Sequence, residues 1–317
     1  MEHSSENISR AVLQTVAYSD IFDYPLTAPE IHRYLTGLKA SLEEVVHAMG
    51  SDGIVTRTGD YFTLPGREEI VSIRTKREVY SRKLLPRALR YGHMLGNLPY
   101  IRMVALTGSL SVMNVSEHQD FDYMLVTAPG RVWTARAFAL ALNRFARLQG
   151  YTLCPNLIIS EKALKWTQRD LYSARELCQM MPITGFDMYH RLMEVNKWVG
   201  DFLPNAYLEC NSLPAQTQRR TVAFQNLLEF LFRGKLGDRF EQWEMRRKIT
   251  RFSNQAGFGE ETIFNAEVCQ GNFHHHRKWT QEAFENKLHV IASGAKYSEA
   301  ISYVNREIAS TPIGSSQ

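Results

Sequence analysis

The sequence predicts an α/β protein of the α+β kind: a mixed sheet with helices packed on it, a small domain ahead of it and a helical domain behind. Three observations predict this. Residues 100 to 160 alternate strand, helix, strand, helix, strand, the pattern of a sheet covered by helices. Residues 1 to 66 read as three short helices and a hairpin. From about Glu161 onward the apolar spacing is helical almost to the end.

The bulk numbers fit a globular chain. Of 317 residues, 44% are hydrophobic and 22% charged, which excludes a disordered composition. A net charge of +4 is mild for this length and argues against a dedicated nucleic-acid binder. No apolar run is long enough to cross a membrane, and "MEHSSENISR" lacks the basic flank and apolar core of a signal peptide. Cys154, Cys178, Cys210 and Cys269 are far apart without CxxC pairing, as expected of reduced thiols in a cytoplasmic protein.

Residues 8 to 19 have helical spacing. Thr27 is placed to cap a second helix, with Pro29 in its first turn and Glu30 three residues on. Ser41 caps a third, with Glu44 at its third position and Gly50 as its stop. "GIVTRTGDYFTL" reads as two strands around Thr58-Gly59-Asp60. This pattern over residues 1–66 resembles a winged helix. Its third helix, the one that would enter DNA, carries Glu43 and Glu44 and no Lys or Arg, so a phosphate backbone would repel it. The reading is therefore a module for protein packing or homodimerisation, with nucleic acid the less favoured partner.

Residues 67–98 read as a basic helical connector carrying Arg67, Arg74, Lys76, Arg77, Arg82, Lys83, Arg87 and Arg90, with Pro86 as a kink or break. Such a helix is either a solvated face or an electropositive wall for a polyphosphate or nucleic acid. The sheet core is assigned to 99–165, a helical domain to 166–308 and a flexible tail to 309–317.

Within the core, "LTGSLSVMNVSEHQDFDYMLV" carries the functional signal. In the second strand Phe121, Tyr123 and Leu125 share one face, while Asp120, Asp122, Met124 and Val126 share the other. Both faces carry apolar residues, so the strand is expected to be covered on each side. Two carboxylates held near a core need a cation, a proton or arginines. Mg²⁺ suits them, since it takes one or two carboxylates plus phosphate oxygens and waters. Gly108-Ser109, at the preceding strand-to-helix turn, lets the backbone approach a ligand and offers N–H groups and a hydroxyl to phosphate.

Gly108-Ser109, ten residues, then Asp120-Phe121-Asp122 resembles the signature of the polymerase-β-like nucleotidyltransferase superfamily, in the spacing of its minimal members. The resemblance implies that Gly108 and Ser109 hold a nucleoside triphosphate and that Asp120 and Asp122 are catalytic ligands of Mg²⁺ or Mn²⁺. The implied reaction moves a nucleoside monophosphate to a hydroxyl of a small molecule, sugar or protein. The whole chain also resembles a group of bacterial proteins through "DIFDYPLT", "CPNLIISEKAL", "LYSARELCQMMPITG" and "NKWVGDFLPNA". One position departs from the superfamily: the third carboxylate on the next strand is replaced, in "CPNLIIS", by Asn156. Asn156 can offer a metal its amide oxygen but is a poor base, and Glu161 just beyond is the substitute acid if the chain turns back. The departure leaves a second reading, a nucleotide-binding scaffold or sensor without turnover; a DNA-binding regulator is a third.

Other features are read as structural. Arg131, Arg136, Lys162 and Lys165 are expected on solvated faces, although the first two could reach a triphosphate. His118 reads as a loop residue, and adjacent His274, His275 and His276 cannot all face one ion. Trp198, Phe202 and Leu203 have helix-packing spacing; Arg175 and Glu176 could face the cleft of the core.

Overall fold

The computed structural model describes residues 5–51, 53–116, 120–213, 222–259 and 261–293. His118 and the assigned tail, 309–317, lie outside the described residues. Among them the chain is mixed α/β. It divides into two compact units, one made of the chain through Arg74, Leu203–Asn205 and the chain from Arg277, the other of Thr75–Phe202 and Ala206–His276.

The first unit contains α1 (Ser5–Asp20), β1 (Leu26–Thr27), α2 (Ala28–Arg33), α3 (Leu42–Ser51), β2 (Thr56–Thr58) and β3 (Tyr61–Thr63). The strands form an antiparallel sheet in the order β1-β3-β2, one strand more than the expected hairpin. Both predicted helix starts are built as read. The Thr27 N–H donates to Glu30 Oε2 at 2.8 Å, and Ser41 and Glu44 exchange bonds of 2.7 and 3.2 Å.

"DIFDYPLT" is a hub for basic side chains in this unit. Buried Asp20 accepts from Arg67 Nε at 2.9 Å and pairs with Lys287, while Asp23 accepts from Arg67 Nη2 at 2.6 Å. Arg74 grips Glu30 with bonds of 2.8 and 2.7 Å, donates to the Pro25 carbonyl and lies 4.1 Å from the Tyr24 ring centroid. Arg67 and Arg74 are thus internal ties, which corrects the electropositive-wall reading for these two residues.

α4 (Ile70–Gly96) begins in the first unit and continues through Pro86 without a break. In the second unit follow β4 (Ile101–Leu106), α5 (Gly108–Ser111), β5 (Phe121–Thr127), α6 (Val132–Arg147) and β6 (Leu153–Ser160). This is the predicted alternation. Next come α7 (Leu171–Gln179), β7 (Met181–Thr184), α8 (Phe186–Val195), α9 (Val199–Phe202), α10 (Pro204–Asn211), α11 (Val222–Leu231) and α12 (Lys235–Ser253). The described chain closes with β8 (Thr262–Phe264), β9 (Val268–Gly271) and α13 (His276–Ala292).

The sheet runs β7-β4-β5-β6-β9-β8, with β5 and β6 parallel and the other pairs antiparallel. A separate helical domain at 166–308 is therefore not what forms. β7 extends one edge of the sheet, β9 and β8 extend the other, and the chain from Arg277 belongs to the first unit. Pro182 sits in β7 because β7 is an edge strand, where a missing N–H costs no ladder bond. Met103, Met124 and Val126 are as fully buried as Val104, Tyr123 and Leu125, so both sheet faces are covered as expected.

Candidate functional site

The site lies where β4 ends, β5 begins and α7 passes. The Thr107 N–H donates to the Asp122 carbonyl at 3.0 Å, which locks the end of β4 to the start of β5. Gly108 then adopts a φ of 65°, and a Cβ placed on it would lie 2.5 Å from Asp122 Oδ2. No side chain fits there, and the left-handed backbone disfavours one anyway. The turn and the carboxylate, fourteen residues apart in the chain, are packed as one object. Thr107 contributes a buried hydroxyl oxygen with no hydrogen-bond partner among the described residues.

Ser109 lies in α5, whose single turn is tied by Ser111 Oγ donating to the Gly108 carbonyl at 2.7 Å and by the Asn114 N–H donating to the Ser109 carbonyl at 2.8 Å. Four residues sum little macrodipole, so only local N–H groups of this turn are available to a ligand.

Asp122 faces the sheet side opposite Phe121 and Tyr123. Burial foremost, then the charges of Asp120 and Glu176, push its carboxyl up to about 7, against a hydrogen bond from Cys154. Burial also pushes Glu176, on α7, up to about 7. Asp120 just precedes β5 and is half-buried. Among the described residues no three His, Cys, Asp or Glu side chains converge in a metal-holding group, so the three carboxylates share a field rather than a point.

The parallel register sets Cys154, not Asn156, beside Asp122. The ladder is irregular between Asp122 and Met124, where Leu157 resumes the pairing; Pro155 and Asn156 occupy the irregular stretch, and Asn156 is exposed. The Cys154 thiol is pushed up to about 12 by burial and by Asp122 and Asp120, so it is a neutral donor to Asp122. Glu161 does not turn back. It follows the far end of β6, where its N–H donates to the Thr127 carbonyl at 3.0 Å and its carboxylate meets Arg102 and Arg191 at 3.7 and 3.5 Å. Five residues of strand, about 16 Å, separate Thr127 from Asp122.

Of the other candidates, Arg131 pairs with Asp238 at 2.7 Å and stacks 5.3 Å from the Tyr100 ring centroid. Asn196 and Trp198 form a buried knot: the Asn196 amide holds the Leu164 and Leu192 carbonyls, the Trp166 N–H and the Trp198 indole N–H. That explains "NKW" structurally. His274 and His276 have ring centroids 5.8 Å apart and belong to no metal-holding group among the described residues.

The donor set suits a divalent cation. Asp120 and Asp122 would offer it hard oxygen ligands, and the crowding of negative charge around Asp122 is of the kind a cation relieves. Compared with protein-family models, curated proteins and solved structures, the chain matches none. The functional reading therefore rests on this geometry and on the motif.

Proposed function

We propose that the second unit is a nucleotidyltransferase core of the polymerase-β-like type. In this reading it moves a nucleoside monophosphate from a nucleoside triphosphate to a hydroxyl, with the first unit as a winged-helix-like module. The observation that carries the proposal is the fit of Gly108 against the Asp122 carboxylate, which joins a phosphate-accepting turn to a carboxylate pair.

The roles divide as follows. N–H groups of the Gly108-Ser109 turn and the Ser109 hydroxyl bind the β- and γ-phosphate oxygens. Asp120 and Asp122 hold Mg²⁺, or Mn²⁺, which when bound supplies charge stabilisation at the α-phosphorus and the leaving pyrophosphate. The acceptor oxygen forms a bond to the α-phosphorus, the bond from that phosphorus to the bridging oxygen breaks, and pyrophosphate leaves. The acceptor proton passes to Glu176, the half-buried third carboxylate near Asp122, whose proton affinity suits a base near neutral pH.

Calorimetric titration of each NTP, with and without Mg²⁺, tests the reading on wild-type protein and Asp122→Asn. Magnesium-dependent binding of one NTP that Asp122→Asn loses is the expected result. Equal binding by the variant, or no NTP bound at all, overturns it. A second reading, a scaffold that holds nucleotide without turnover, is favoured by the neutral Cys154 standing opposite Asp122 where an acid would be expected. Binding without pyrophosphate release across an acceptor screen would select it. A DNA-binding regulator is the weakest reading, because Arg67 and Arg74 are already committed within the first unit.

A further inference from the structure

α11 is an amphipathic helix turned inside out. Gln225 and Glu229, one turn apart, face the start of β4 and the residues just before it. Gln225 Nε2 donates to the Leu98 and Ile101 carbonyls at 3.0 and 3.2 Å. Glu229 accepts from the Tyr100 N–H at 2.7 Å and from Arg102 Nη1 at 2.9 Å, and its carbonyl accepts from the Tyr100 hydroxyl at 3.0 Å. Leu227, Phe230 and Leu231, spaced i, i+3 and i+4, share the opposite side, and all three are exposed. A helix fixed by its polar side, with its apolar side in water, marks an interaction surface.

α12 continues that surface. The turn between the helices is tight, since a Cβ on Gly237 would overlap the Phe232 carbonyl. Aromatic rings run from Phe232 to Phe240 to Trp243 with centroids 5.9 and 5.8 Å apart, and Leu236, one turn before Phe240, is 75% exposed. The rim is cationic: Arg233, Lys235, Arg239 and Arg246 are exposed, and the Arg247 guanidinium lies 5.0 Å from the Trp243 ring centroid. The acidic side chains of the two helices are already engaged, Glu229 with Arg102, Asp238 with Arg131, Glu244 with Arg247 and Glu241 with the first turn of α6. An apolar face with a basic rim fits a partner that is apolar within and anionic at its surface.

We propose that α11 and α12 form a docking surface for an anionic phospholipid bilayer. Charge decides against a second copy of the chain, which would set one basic rim against another. Exposure decides against a peptide held in a groove: Phe230 is 66% and Leu231 61% exposed, so these side chains stand out as anchors instead of lining a slot. Leu and Phe on one face, with Trp, Lys and Arg beside them, are the composition of a helix lying at the headgroup boundary of an acidic membrane. The surface is fixed at the start of β4 and the candidate site lies at its end, so the inference does not depend on the nucleotidyltransferase reading.

The test is co-sedimentation of the full chain with vesicles of phosphatidylcholine, with and without phosphatidylglycerol. Binding to the anionic vesicles alone is expected, and it should fall as salt is raised. Phe230→Ser and Leu236→Ser should each weaken it about tenfold, as for loss of one buried apolar anchor, and Arg239→Gln about fivefold. Because these three side chains are exposed, the variants should keep the wild-type circular dichroism and melting temperature, and a failure of one to fold leaves the other two to decide. No binding to anionic vesicles, equal binding to neutral ones, or wild-type affinity in the variants that fold would overturn the proposal. So would a dimer in sedimentation velocity that Phe230→Ser dissolves, which would assign the surface to a second copy. Binding to polyglutamate but not to vesicles would likewise overturn it and assign the surface to an acidic protein segment.

Discussion

Gly108 is the residue on which the candidate site turns. An added Cβ meets both a φ of 65° and the Asp122 Oδ2 atom at 2.5 Å. Gly108→Ala should therefore cost about 1–3 kcal/mol in urea unfolding and displace the Asp122 carboxylate, so that NTP binding falls further than stability alone would bring it. A variant with wild-type stability and binding would show the turn to be slack. Glu30 provides a second residue-scale prediction. Burial opposes its ionisation, but the two bonds from Arg74 and those from Thr27 outweigh burial and hold it below the ordinary 4.5. A carboxylate depressed on folding contributes stability that is present above its unfolded value and lost as pH falls through the folded one. The protection factors of the α2 amides should accordingly fall, relative to neutral pH, as the pH drops below about 4.5, and Glu30→Gln should flatten that dependence. Gly108, Asp120 and Asp122 were legible because a short spacing carries them. Glu176 and Cys154 were not, because their place beside Asp122 is set by the path of α7 and by a ladder irregularity that one sequence does not display.

At the scale of elements, the start of α6 is held by a residue from another helix. Arg131 at its N-cap makes no side-chain cap bond. Instead Glu241, from α12, accepts from the Trp133 and Thr134 N–H groups at 2.9 and 2.7 Å and from Thr134 Oγ1 at 2.6 Å. Those amides are orphan donors of a helix first turn, and a carboxylate there also meets the positive end of the dipole. Glu241→Ala leaves buried donors unpaired and should lower stability by about 2–3 kcal/mol, with α6 the first helix to lose amide protection. A loss under about 0.5 kcal/mol, the range of an ordinary surface change, would show the cap to be dispensable. Elements with local signatures were readable in advance: the capping boxes at Thr27 and Ser41, and the apolar strands β4, β5 and β6. The outer strands β7 and β8, and β9 beside β8, were missed for physical reasons. They have three or four residues each, β7 contains Pro182 and directly follows a helix, and what makes β7 and β9 strands is the open ladder of β4 and of β6, far away in sequence, with β8 then pairing on β9.

At the scale of the whole molecule, sequence order and spatial order part company. Asp20 and Lys287 are 267 residues apart yet form a buried ion pair, and α13 also sets Phe284 against Tyr18 and Trp279 against Phe22, with ring centroids 5.5 and 6.1 Å apart. Asn205, from the middle of the chain, donates to the His32 and Ala40 carbonyls at 2.8 and 3.0 Å. The first unit is thus completed by a segment between β7 and β8 and by one after β9, which is why boundaries drawn from composition at 66 and 166 do not coincide with the compact units. Removing the chain after His276 takes away the Lys287 partner of Asp20 and uncovers Tyr18 and Phe22, while every strand of the six-stranded sheet is retained. Hydrogen exchange on that truncation should show α1 deprotected and β4, β5 and β6 close to full-length protection. The milder Lys287→Met isolates the ion pair. Because Asp20 keeps its bond to Arg67, the loss should be about 2 kcal/mol, less than the roughly 3–5 kcal/mol of a buried pair broken outright. Unaltered protection of α1 in the truncated chain would mean that the first unit closes without α13. Loss of protection across β4, β5 and β6 would mean that the two units fold as one cooperative body.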